Sequence, residues 1–107
     1  MRKEIADLVS MGSLPDNQSA INDPNSAKHI EDAQALIEKI TKPVTNDEAR
    51  ALVDIFGSDD CFGLSWSVLH LIESAPDWPL NDCLQANNEW VDRLRARAEN
   101  ATLSPRI

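Results

Sequence analysis

No run of apolar residues in this sequence approaches the roughly 20 that a helix needs to cross a bilayer, so a membrane-spanning protein is not expected. The basic start "MRKEIADLVSMGSLP" has Glu4 and Asp7 inside its apolar part, which argues against a signal peptide and for a cytoplasmic protein. Cys61 and Cys83 are the only two cysteines, and they form no C-x-x-C pair. In a cytoplasmic chain both are expected to be reduced and to act as small buried hydrophobes. His29 and His70 lie too far apart in sequence for zinc-ligand spacing, so neither a metal nor any other cofactor is expected. There is no P-loop and no G-x-G-x-x-G. Valine, isoleucine and threonine never alternate with polar residues over a strand length, so no strands are expected.

The most informative shortage is of bases. From Ala51 to Asp92 there is no Lys or Arg, while Asp54, Asp59, Asp60, Glu73, Asp77, Asp82, Glu89 and Asp92 all fall there. The other ten acids are matched by the ten bases, so the whole net charge of −8 sits on this segment. Such a surface repels nucleic acid and anionic lipid and attracts basic surfaces.

Apolar periodicity predicts five helices in one domain spanning residues 1–107. The first carries Ile5, Leu8, Val9 and Met11 and stops at Gly12 and Pro15. Residues 13–27, "SLPDNQSAINDPNSA", read as a loop. The second starts near Ser26, with Ile30, Ala33, Leu36 or Ile37, and Ile40 as its stripe, and stops before Pro43. The third opens on Thr45-x-x-Glu48, a capping box, and Gly57 is expected to close it in a left-handed cap. The fourth opens on Ser58, Asp59 and Asp60, placed to meet free amides and the helix dipole. It carries two apolar rows: Phe62, Trp66, Leu69 and Ile72 or Glu73, and Leu64, Val68, Leu71 and Ala75. A helix apolar on most sides is central, so Phe62 and Trp66 are expected in the core. The fifth opens on Asp82-x-x-Gln85 and carries Leu84, Val91, Leu94 and Ala98, with Trp90 alongside. Residues 101–107 are expected to form a flexible tail. The fold class is therefore all-α. Antiparallel hairpins surround a central apolar helix, one from helices three and four and a second from four and five.

The residues that chemistry would need do not converge. His70 and Ser65 are five apart on one helix and point away from each other, and Cys61, Ser65, His70 and Glu73 supply no adjacent nucleophile and base. A small hydrolase using His70 or Cys61 is the least favoured reading, and no catalytic residue is assigned. The carboxylates Asp59, Asp60, Glu73 and Asp77 lack the D-x-D-x-D-G frame of a calcium loop. The aromatics are interleaved with acids, not bases, which excludes the usual pattern of nucleic-acid binding. Trp78, between Asp77 and Pro79, is either an exposed anchor for a protein partner or a plug for the corner between helices four and five.

The stretch "LVDIFGSDDCFGLSWSVLHLIESAPDWP", with its "FGSDDCFGLSW" turn and "LHLIESAPDWP" end, resembles small helical bacterial immunity partners of polymorphic and contact-dependent toxins. The resemblance covers about a quarter of the chain. It implies a non-enzymatic inhibitor of a cognate toxin, commonly a basic nuclease domain, with Asp59, Asp60, Glu73, Asp77 and Trp78 as natural contacts. Asp82 joins them as a further acid of the same window. The alternative is a helical-repeat-like adaptor for another basic protein or peptide.

Overall fold

The computed structural model describes residues 1–85 and 87–103. The chain is all-helical among these residues. Its helices are α1 (Lys3–Ser10), α2 (Asn17–Asn22), α3 (Pro24–Lys39), α4 (Asn46–Val53), α5 (Leu64–Glu73) and α6 (Glu89–Leu103). Single 3-10 turns occupy Cys61–Gly63 and Asn81–Cys83. The radius of gyration is 13.9 Å, close to the ~13 Å of a single domain of about 100 residues. Part of the expected tail, 101–103, continues α6; residues 104–107 lie outside the described residues.

Two helices begin inside the stretch expected to be a loop. Asp16 caps α2 by accepting from the Ser19 amide at 2.6 Å. Asp23 caps α3 by accepting from the Asn25 amide at 3.0 Å, with Pro24 in the first turn where its missing N–H costs nothing. α2 has no buried residue, so it carries no apolar stripe for sequence reading to find. The expected stripe of α3 is buried at Ile30, Ala33 and Ile37.

Thr45 and Glu48 form the expected capping box: Thr45 Oγ1 accepts from the Glu48 amide at 3.1 Å, and Glu48 Oε1 accepts from the Thr45 amide at 2.8 Å. Glu48 does more than cap. It is 1% exposed, and its Oε2 accepts from both the amide and Nε of Arg2, each at 3.0 Å. The Arg2 guanidinium also donates to the carbonyls of Thr41 and Pro43. The start of α1 is thereby fixed beyond the end of α3, and the two helices pack antiparallel. Burial pushes the Glu48 carboxyl up. The amides of Thr45 and Arg2, with the Arg2 guanidinium, outweigh that and hold it at about 2.

Gly57 does not cap α4 in a left-handed conformation; the glycines at positive φ are Gly12 and Gly63. α4 ends earlier, at Val53. Gly57 is needed for closeness instead. Leu14 donates to the Ile55 carbonyl at 2.9 Å, and a Cβ on Gly57 would lie 2.2 Å from the Leu14 carbonyl oxygen.

α5 is the central helix, packed on α3, α4 and α6. Val68, Leu69 and Ile72 are fully buried, each contributing roughly 1.5–3 kcal/mol. Its pairing with α4 is antiparallel: beyond the end of α5, Asp77 exchanges two hydrogen bonds with Asn46 at the start of α4, at 2.6 and 3.1 Å. The second expected hairpin is replaced by a parallel pair. Trp66 meets Trp90 near the starts of α5 and α6, and Glu73 meets Arg97 farther along both. The connection through the Asn81–Cys83 turn returns the chain to the start of α5 before α6 begins. Asp82 and Gln85 do not open α6. Asn88 does, its Oδ1 accepting from the Trp90 amide at 2.8 Å.

Candidate partner-binding surface

The segment between α4 and α5 was expected to be a simple helix start. Asp59 and Asp60 do not cap α5, which begins after Gly63 at φ 91° without a side-chain cap. They are bound to α2. Asn17, the first residue of α2, donates its amide to Asp59 Oδ2 at 2.8 Å and its Nδ2 to Asp60 Oδ1 at 3.0 Å. Its own Oδ1 accepts from the Phe62 amide at 2.9 Å. Asp59 Oδ1 takes the Cys61 amide at 2.9 Å, and its carbonyl takes Ser65 Oγ and Trp90 Nε1 at 3.1 and 3.0 Å. These bonds hold two consecutive non-glycine residues, Cys61 and Phe62, at φ 47° and 53°.

The left-handed turn takes Phe62 out of the helical row. Phe62 is 59% exposed and Trp66 39% exposed, so neither is the core residue its apolar row predicts. The row breaks because the first turn of the expected helix is not helical, and Phe62 points away from the face that buries Leu69 and Ile72. The core aromatic is Trp90, 2% exposed, stacked on Phe56 at 5.9 Å and edge-on to Trp66 at 4.9 Å. The Arg93 guanidinium lies 4.8 Å from the Trp90 ring centre and 5.4 Å from that of Trp66. Trp78 is half-buried against the core.

The predicted site residues fall into separate groups. Asp59 and Asp60 lie together before the start of α5. Asp77 and Asp82 lie together along α4, on Asn46 and Arg50. Glu73 lies at the end of α5 facing α6. α5 has ten residues, which sets its two ends about 15 Å apart.

The groups also differ in what neutralises them. Glu73 is held bidentately by Arg97 at 2.5 and 2.9 Å, and Asp82 by Arg50 at 3.0 Å. Glu89 pairs with Arg93 at 2.8 Å, and Asp92 pairs with Arg95. Bases from just outside the base-free window therefore fold back onto its flanks. The donors to Asp59, Asp60 and Asp77 are neutral: backbone amides and the side chains of Asn17 and Asn46. Their orientation is fixed without a Lys or Arg partner among the described residues.

Cys61 is buried, and burial together with Asp59, Asp60 and Asp16 pushes its thiol up to about 11. It is protonated at neutral pH and shut away from substrate. Ser65 is fully buried, and His70 is exposed, 6.5 Å from the Trp66 ring. Among the described residues, no group of three or more His, Cys, Asp or Glu side chains is placed to hold a metal ion. No helix among them is long and apolar enough to cross a membrane.

Asn17 is the residue that sequence reading missed, and no local signal marks it. Its partners are 42 to 45 positions away, beyond the reach of periodicity or capping rules. No family model, curated protein or solved structure matches the chain.

Proposed function

We propose that the chain is a non-enzymatic, protein-binding inhibitor of the immunity type, acting in the cytoplasm on a basic partner such as a nuclease-like toxin domain. The observation that carries this reading is the state of Asp59, Asp60 and Asp77. Carboxylates that merely keep a surface soluble are ordinarily free to move. Among the described residues these three are fixed by neutral donors, so a cationic partner can reach them without first breaking an ion pair. Charge so displayed speeds encounter with a basic surface and can compete with phosphate for it. The protonated, enclosed Cys61 thiol supports a binding role over a hydrolytic one.

The test is an affinity capture from the native host with the tagged chain and with a variant carrying Asp59→Asn, Asp60→Asn and Asp77→Asn. The expected result is a basic protein retained by the wild type, released as salt is raised and lost by the variant, and whose own activity falls when the chain is added. Equal capture by a folded variant would overturn the reading.

A further inference from the structure

We infer that the start of α5, with Phe62 in the turn before it and Trp66 in its first turn, is a docking surface for an arginine-presenting segment of a basic protein, in which the two exposed rings take the flat faces of guanidinium groups and Asp59 and Asp60 take their charge. This rests on the reading above and adds where the partner sits and what it must present.

Among the described residues, four large hydrophobic side chains are more than a third exposed: Met1, Ile21, Phe62 and Trp66. Two of the four, Phe62 in the turn before α5 and Trp66 in the first turn of α5, are four positions apart. Scattered exposed apolar side chains are ordinary, but aromatics gathered at one place mark contact surfaces. Phe62 is not there by default. Left-handed backbone costs an L-residue roughly 1–2 kcal/mol, and it is adopted here twice running. Asn17 and Asp59 hold the turn against that cost, and the product is an aromatic ring in water. Strain kept in place by several converging bonds is characteristic of binding sites.

The chemistry of the occupant follows from what the surface already holds. Arg93 lies over Trp66 and Trp90, so an indole of this surface is already engaged with a guanidinium. Trp66 nevertheless stays partly exposed, and Phe62 more so. Asp60 is exposed too, and Asn17 joins it to this turn by donating to Asp60 Oδ1 and accepting from the Phe62 amide. A guanidinium stacks on a ring through its face while donating to carboxylates from its edge, and it is less strongly hydrated than an ammonium. Arginine therefore fits this combination better than lysine. A second copy of the chain fits poorly, because it would press Asp59 and Asp60 against their own counterparts in a protein of net charge −8.

The test uses an oligo-arginine peptide and an oligo-lysine peptide of equal length, titrated into the full chain at low salt and followed by amide and indole NMR shifts. The control variant is Phe62→Asn, which removes the ring while tolerating the left-handed backbone, with thermal melting to verify folding. The arginine peptide is expected to bind roughly fivefold tighter than the lysine peptide, as a partly desolvated aromatic–cation contact allows. The largest shifts are expected around Phe62 and the Trp66 indole, and Phe62→Asn is expected to erase the arginine preference. Equal affinity for both peptides, with shifts centred on Asp77 and Asp82, would overturn this inference and leave the acidic-surface reading standing. Failure of either peptide to bind at low salt would overturn both. Concentration-dependent self-association that Phe62→Asn abolishes would also overturn it, by making a second copy the occupant.

Discussion

Glu48 and Asp59 are both carboxylates that accept two backbone N–H groups, yet they belong to regions of opposite character. Glu48 is sealed where α1 meets α4, with the Arg2 guanidinium against it. Asp59 stands where α2 meets the turn before α5, held by the backbone amides of Asn17 and Cys61 with no guanidinium against it among the described residues, in the same turn as the exposed Asp60 and Phe62. The first arrangement spends its charge inside the fold. The second uses the same kind of hydrogen bonding to fix a carboxylate without neutralising it. Charge alone does not separate the two uses; the donor does. Arginine closes a carboxylate, and an amide only aims it.

The largest test of this contrast concerns what supports the open region. Trp90→Ala removes the buried ring beneath Trp66 and should cost about 3–5 kcal/mol, measured by urea denaturation. Trp66→Ala, expected from sequence to be equally severe, should cost about 1–2 kcal/mol, since its ring is partly in water already. Equal costs would mean that the outer ring is as structural as the inner one.

The closed region should reveal itself in acid. A carboxyl held at about 2 when folded, against 4.5 ordinarily, stabilises the fold above pH 4.5 and loses that contribution as pH falls towards 2. The loss is about 3 kcal/mol at most. Glu48→Gln should be less stable than wild type at pH 7 and should flatten this part of the pH profile. An unchanged slope between pH 4.5 and 2 would assign the acid sensitivity to other groups.

The smallest effects are expected at the open region's carboxylates. Asp59→Asn leaves one of two N–H groups poorly served and should cost about 1 kcal/mol. Asp60→Asn, exposed and bonded through one oxygen, should stay within about 0.5 kcal/mol. A large cost at Asp60 would make it a structural residue and remove it from the binding surface.

Much of the architecture is legible in the sequence, because it rests on local rules. The Thr45–Glu48 box, the stripe of α3 and the buried row of α5 all follow from spacing within one helix. Failures begin where distant segments meet. Phe62 and Trp66 fit an apolar row until Asn17 and Asp59 hold a left-handed turn in front of it. Gly57 looks like a cap, yet its lack of a side chain serves Leu14, more than forty positions earlier in the chain. Asp82 and Gln85 look like a helix start, but the chain has first to travel back along α5. The acids of the candidate site are visible as a window without bases. Which of them are paired with a base depends on where Arg50, Arg93, Arg95 and Arg97 land, and that is a property of the packed structure.

The parallel course of α5 and α6 also bears on how the molecule opens. Trp66 to Trp90 and Glu73 to Arg97 are both steps of 24 positions, so a single register satisfies the ring contact and the ion pair together. Sliding α6 by one turn could set Arg93 opposite Glu73 in place of Arg97, but it would part Trp66 from Trp90 with no ring to replace it. A shifted α6 therefore keeps the ion pair only at the loss of the ring contact. It should detach and return as one cooperative unit, its central amides exchanging hydrogen for deuterium with a common opening free energy while α5 beneath it stays protected.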